Sequence, residues 1–138
     1  MNMEVDMVLE DVNQITQKII GCAYEVSNTL GTGFVEKVYE NGLAHLLRKT
    51  GMDILQQYSL KVIFDGIIVG EFIADLLVEK RVLVELKAVS MLTSDHTAQA
   101  LNYLRATGLE VCLLINFGRP KVEIKRLLPS VYWKTPKP

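Results

Sequence analysis

Cysteine is scarce in this chain of 138 residues. There are two, Cys22 and Cys112, and neither has a further Cys or His at ligand spacing. That pattern indicates no zinc site and no disulfide framework. Cys22 falls on the apolar stripe of an expected helix and Cys112 inside the run VCLLINF, so both read as small buried hydrophobes. A reducing cytoplasm is the compartment they fit. A surplus of one charge is missing too: the formal charge is -1 and the pI about 6.1, without the basic excess of a strong non-specific nucleic-acid binder. No run approaches the roughly 20 apolar residues that span a bilayer. The start, MNMEVDMVLED, is acidic and lacks the basic opening and apolar block of a secretion signal. A soluble protein, not associated with membranes, is expected. Nucleophile-elbow, phosphate-binding Gly-Lys-Ser/Thr and dinucleotide motifs are all absent.

What is present is an ordinary globular composition, 49% apolar and 22% charged, at a length that supports one core but not two. Residues 1–128 are expected to form a single domain. Residues 129–138, PSVYWKTPKP, hold three of the four prolines and read as a loose tail in which Tyr132 and Trp133 can dock on the body. From Val12 to Leu30, Ile15, Ile19, Cys22, Ala23, Val26 and Leu30 recur at steps of three and four, predicting an amphipathic helix stopped by Gly31. A second helix is expected from Phe34 to Lys49, with Val35, Val38, Leu43, Leu46 and Leu47 available for packing. YSLKVIF, Asp65-Gly66 and IIVGEFIADLLVE have the turn dipeptide and flanks of a β-hairpin, which makes Asp65 a turn residue. A third strand covers Val82 to Ala88. Ser94 or Asp95 can cap a helix from His96 to Thr107, ended by Gly108. Two strands, Glu110 to Phe117 and Val122 to Leu128, close the domain. The order ααβββαββ predicts an α/β (α+β) fold with a mixed central sheet flanked by helices.

Charge intrudes into two of these apolar strands. Along FIADLLVE and RVLVELKA the even positions Phe72, Ala74, Leu76, Val78, Val82, Val84, Leu86 and Ala88 are all apolar, while Asp75, Glu85 and Lys87 fall on odd ones. Side chains alternate faces along a strand, so each strand is expected to have one wholly apolar face and one mixed face. If both apolar faces share one core, paired residue numbers must sum to an even value. The three-residue connection Glu79-Lys80-Arg81 satisfies this and sets Asp75 opposite Glu85, with Cβ atoms roughly 4.5 to 5.5 Å apart. Unaided, two such carboxylates repel. A hard divalent cation resolves the repulsion, and a neighbouring ammonium can orient or polarise an attacking water, the outfit of a metal-dependent phosphodiesterase. The plainer reading is a same-face ion pair between Glu85 and Lys87, with Asp75 facing solvent. One bound Mg²⁺ would turn the net charge to +1, and Lys61, Lys80, Arg81 and Arg105 lie near these residues in sequence.

Two further groups of residues could join the trio. Gln99 and Tyr103 share a face of the third helix, with His96 one turn before Gln99; as structure alone, Tyr103 is an anchor and Gln99 solvated. Gly33, Glu36 and Tyr39 step by three into the second helix, with Glu40 one residue beyond. Glu36 near a helix N-terminus is favourable on dipole grounds alone. As a third carboxylate, Glu36 and Glu40 are both open. His45 has no partner at catalytic spacing and reads as a helix surface residue.

GFVEKVY at Gly33 to Tyr39, ADLLVEKRVLVELKA at Ala74 to Ala88, and QALNYLRATG followed by LLINFG from Gln99 to Gly118 together resemble the small GxxExxY proteins of the PD-(D/E)XK nuclease superfamily. The resemblance covers nearly everything between the first helix and the last strand. It implies a restriction-endonuclease-like core, Mg²⁺ or Mn²⁺ as cofactor, and DNA or RNA as partner. Carried over by position, Asp75 and Glu85 are implied metal ligands with the carbonyl of Leu86, and Lys87 assists the nucleophilic water. Glu36 matches the acidic residue on the helix before the sheet. Gln99 and Tyr103 match a Gln-x-x-x-Tyr motif that borders the active site. Ala74 stands where many members have Pro. The expected function is hydrolysis of phosphodiester bonds. The alternatives are hydrolysis of a small phosphoester, or a binding or assembly module, acting with a partner or as a homodimer, that keeps the fold and cleaves nothing.

Overall fold

Helix α1 (Met3–Leu30) and helix α2 (Glu36–Lys49) meet across a five-residue link whose geometry follows from its glycines and one tyrosine. This computed structural model describes residues 3–129, with side chains from Val12 onward. Gly31 ends α1 in the left-handed region, φ 71°, where it pays no Cβ penalty. The Tyr39 hydroxyl then donates to the Gly31 carbonyl at 2.6 Å and accepts from the Phe34 N–H at 3.2 Å, tying the link to α2. The Tyr39 ring stacks on Phe117 with centroids 4.8 Å apart. Val12, Ile15, Ile19, Ala23 and Val26 form the buried stripe of α1; Tyr39, Leu43, Ala44 and Leu47 form that of α2. Val35, expected to pack, is instead the exposed residue before the helix, and Cys22 is half-buried at the margin of the core.

Five strands, β1 (Ile54–Phe64), β2 (Ile67–Val78), β3 (Val82–Lys87), β4 (Val111–Asn116) and β5 (Glu123–Leu127), form one sheet in chain order. All neighbours are antiparallel except β3 and β4, which are parallel and joined through helix α3 (Ser94–Thr107). Such a parallel pair requires a long crossover. Asp65 and Gly66, at φ 52° and 76°, make the two-residue turn between Phe64 and Ile67, the backbone that the Asp-Gly dipeptide favours. Glu79 and Lys80 also take positive φ, and Val78 pairs with Val82 around the three-residue turn that parity demands. The cap of α3 is Thr93, one residue before the expected candidates. Its Oγ1 accepts from the His96 N–H, while His96 Nδ1 accepts from the Thr93 N–H. His96 is therefore occupied as a capping group, and His45 lies on the surface of α2.

The sheet has helices on both faces, α1 and α2 on one and α3 on the other. Leu76, Val78, Val82, Val84, Leu86, Leu113 and Ile115 pack towards α1 and α2; Leu60, Ala74, Leu77, Leu83 and Cys112 pack with Ala100, Tyr103 and Leu104 of α3. Here the expectation of one wholly apolar face along β2 fails. Ala74 belongs with α3 and Leu76 with α1 and α2, although both are even-numbered. Regular alternation would give them the same face, so the strand changes sense between them, at Asp75. The described residues include no helix long and apolar enough to cross a membrane. The suggested docking of Tyr132 and Trp133 concerns residues outside those described.

Candidate active site

The change of sense at Asp75 coincides with an opening in the hydrogen-bonded ladder on both sides of β2. Towards β1, partners run from Gln56↔Leu76 to Tyr58↔Ala74 and pass over Gln57 and Asp75. Gln57 holds φ at 56°, in the left-handed region, an arrangement that costs a non-glycine residue on the order of 1 kcal/mol. Towards β3, the pairing ends at Leu76↔Val84, and the same register continued by one step sets Asp75 opposite Glu85. Side chains replace the missing main-chain bonds. The Leu86 N–H donates to Asp75 Oδ2 at 2.7 Å, and the Asp75 N–H donates to Glu85 Oε1 at 3.1 Å. The two carboxyl groups are also hydrogen-bonded to one another.

Burial and mutual repulsion set the protonation of this pair. Glu85 is 4% exposed. Desolvation first and the Asp75 charge second push its pKa up to about 8, against the smaller opposing pulls of the Asp75 N–H and then Lys87. Asp75 is raised as well, chiefly by burial and further by the charge of Glu40, while the Leu86 N–H and Lys87 oppose the rise. At neutral pH the pair therefore shares a proton that holds two carboxyl groups together. Tyr103 is raised by burial and by the charges of Glu85 and Asp75, so its phenol stays protonated. The Cys112 thiol is pushed far up by its own burial and by the same charges, which makes it an inert apolar filler.

Lys87 ends β3 on this side of the sheet, and its Nζ donates to Gln99 Oε1 of α3 at 3.3 Å. Its charge lowers the pKa of both carboxyls, but its hydrogen bond goes to Gln99, not to Glu85 as the ion-pair reading required. The segment after Lys87 is fixed by Asn116, which is fully buried. Its Oδ1 accepts from the Val89 and Gly118 N–H groups at 3.0 and 2.9 Å, and its Nδ2 donates to the Val89 carbonyl at 2.9 Å. The side-chain amide thus extends the β3–β4 ladder past Phe117, whose N–H donates to the Lys87 carbonyl at 2.8 Å. Gly118 is obligatory here: a Cβ would lie 2.2 Å from the Val89 carbonyl oxygen.

Of the two candidate acids on α2, Glu40 is the one drawn to the pair. It is 3% exposed and its charge bears on Asp75. Gln57 Nε2 donates to its Oε1 at 2.7 Å, and Gln56 Nε2 and Lys37 Nζ donate to its Oε2 at 2.7 and 3.0 Å. Glu36 lies exposed in the first turn, where a carboxylate serves the helix dipole. Glu36, expected at the site, thus points to solvent, and Glu40 is the α2 acid whose charge reaches Asp75. Gln56, Gln57 and Asn116 were not anticipated. The available signal was the polar pair Gln56-Gln57 just ahead of YSLKVIF, now seen inside β1.

These donors suit a hard dication. Among the described residues no three His, Cys, Asp or Glu side chains stand together as a metal cluster. Mg²⁺ needs only one or two carboxylates and keeps several waters. Asp75 and Glu85, already sharing a proton, supply that number, with the Leu86 carbonyl as the further implied ligand.

A mixed sheet covered by helices on both faces, with paired carboxyls and a lysine on adjacent central strands, defines a restriction-endonuclease-like fold. Residues 13–127 match the PD-(D/E)XK nuclease superfamily, and the chain belongs to it. No curated protein matches the chain. Among solved structures, the crystal structure of an alkaline exonuclease (LHK-Exo) from Laribacter hongkongensis aligns with a TM-score of 0.48 at 14% identity, over 63% of this chain and 52% of that one. The chain thus spans about half the length of that protein.

Proposed function

We propose that the protein is a divalent-cation-dependent nuclease that hydrolyses phosphodiester bonds of DNA or RNA, within the GxxExxY group of its superfamily. The observation that carries this reading is the opposed pair of half-buried Asp75 and buried Glu85, each held by a backbone N–H at a break in the sheet, with Lys87 following on the same strand as Glu85. Asp75, Glu85 and the Leu86 carbonyl would hold Mg²⁺ or Mn²⁺. When bound, the cation supplies positive charge against the phosphate and lowers the pKa of the attacking water.

The remaining steps fall to the chain's own groups. Gln99 restrains the Lys87 ammonium at the edge of the pair, where it orients the water and stabilises charge that develops on the phosphoryl oxygens. Tyr103, kept protonated by its surroundings, donates a hydrogen bond to the phosphate and accepts none of its charge. Glu40, fixed by Gln56, Gln57 and Lys37, contributes a steady negative field that keeps the proton affinity of Asp75 high. Water attack forms one P–O bond and breaks another, and the leaving oxygen departs as an alcohol after taking up a proton.

The test is cleavage of single- and double-stranded DNA and RNA in Mn²⁺ by wild type, Lys87→Ala and Asp75→Asn. Loss of about 100-fold or more in both variants is expected from removing charge stabilisation. Equal cleavage by all three would point to a contaminant. Calorimetry with no heat of binding at millimolar Mn²⁺ would favour a module that keeps the fold without the chemistry.

A further inference from the structure

A groove leads away from Gln99 and Tyr103 between α3 and the β1–β2 hairpin. Its inner part, about 300 Å³, is lined by Leu60, Phe72, Asp95, Gln99, Asn102 and Tyr103. The outer part, about 690 Å³, shares Val62, Phe72, Asn102 and Ala106 with the inner one and adds Lys61, Phe64, Val69, Gly70 and Arg105. The two parts adjoin at those shared residues, and the inner one reaches the candidate active site through Gln99, the hydrogen-bond partner of Lys87, and Tyr103, which feels the charges of Glu85 and Asp75. We infer that this groove binds an unpaired nucleic-acid strand and delivers it to Asp75, Glu85 and Lys87, an inference that rests on the nuclease reading above.

The chemistry of the walls selects the occupant. Phe72 and Phe64 are 45% and 72% exposed, a large cost for aromatic rings with nothing to cover them. The Phe72 ring lies 5.7 Å from that of Tyr103, so an aromatic path runs from the outer groove to a phenol that feels the charges of Asp75 and Glu85. Gly70 leaves the floor bare: a Cβ there would lie 3.1 Å from the edge of the Phe72 ring. Lys61 and Arg105 place positive charge along the same walls, whereas Asp95, at the inner end, is the acidic residue of the lining. Paired duplex buries its base faces in the stack and leaves phosphates and groove edges, which match the two cations but not the rings. An unpaired strand offers both, base faces to the aromatics and phosphates to the cations. Asp95 and Asn102 face it with an acceptor and an amide for base edges. This also reconciles nucleic-acid binding with a chain of net charge -1, because stacking supplies part of what phosphate contacts supply elsewhere.

Fluorescence anisotropy in EDTA, with labelled single-stranded and fully paired oligonucleotides of equal length, measures binding independently of cleavage. Wild type is expected to prefer the single strand. Phe64→Ala should weaken that binding at least about fivefold, in line with the loss of one stacked base, and Phe64→Trp should restore it. Lys61→Ala should flatten the slope of log affinity against log salt by about 0.7, the share of one phosphate contact on a single strand. Thermal melts of each variant separate lost binding from lost folding. Equal affinity for duplex and single strand, or indifference to Phe64 and Lys61 in folded variants, overturns the inference. So does self-association through Phe64 with no oligonucleotide bound, which would make the hairpin a protein contact. Cleavage that needs Glu85 but ignores Phe64 sinks the groove and leaves the nuclease. Single-strand binding that needs Phe64, without cleavage, does the reverse.

Discussion

Cation binding should carry a proton signature set by Glu85. With a pKa of about 8, about one molecule in ten has this carboxyl ionised at pH 7, about one in a hundred at pH 6, and about nine in ten at pH 9. A cation held by Asp75 and Glu85 requires the ionised form, so its apparent association constant should follow that fraction. Between pH 6 and pH 9 the rise should be about ninetyfold, steepest below pH 8 and levelling above it. Titration calorimetry with Mn²⁺, in buffers of equal pH but different ionisation enthalpy, should find about 0.9 proton released per cation at pH 7 and about 0.1 at pH 9. Asp75→Asn removes the repulsion from its neighbour and should shift the remaining, weaker binding to a lower pH. An affinity that is flat from pH 6 to pH 9 with no proton released would refute the shared-proton account of the site.

The same proton links stability to pH in the metal-free protein. Folded Glu85 holds it up to about pH 8 whereas the unfolded chain releases it near pH 4.5, so its stabilisation is full below pH 4.5 and is lost as pH rises through about 8, by up to about 1.4 kcal/mol per pH unit. Glu85→Gln lacks this slope and should melt above wild type at pH 8; parallel melting curves against pH would contradict it. Gly118→Ala forces a Cβ against the Val89 backbone and should cost about 1 to 3 kcal/mol in urea unfolding, with a larger loss of cleavage than that destabilisation explains. Tyr39→Phe removes the hydroxyl shared by Gly31 and Phe34 and should cost about 1 to 3 kcal/mol in the same assay, without altering the pH profile of cation binding.

Much of this arrangement was legible because it rests on short-range rules. Asp65-Gly66 specifies its turn within two residues, and the spacing of Glu79-Lys80-Arg81 fixes the parity that opposes Asp75 to Glu85. What escaped depends on contacts far apart in sequence. Glu36 and Glu40 sit one turn apart on one helix, and the choice between them is made by Gln56 and Gln57 on a strand that begins fourteen residues after Glu40. The change of sense between Ala74 and Leu76 arises from a left-handed Gln57 opposite Asp75, which no apolar alternation can signal. Asn116 was hidden within a run of buried strand residues, because a side-chain amide that imitates backbone looks in sequence like any polar interruption.

The break at Asp75 bears on attempts to transplant such a site. An unbroken antiparallel hairpin can receive an Asp and a Glu at opposed positions, yet its N–H groups remain committed to the neighbouring strand. The new carboxylates would then stand over a closed surface, with solvent as their main partner and ordinary acidity. Here the Asp75 and Leu86 N–H groups instead serve the two acids. A workable graft would therefore carry a strand irregularity along with the side chains: a left-handed residue across from the Asp, and pairing that stops one step short of the Glu.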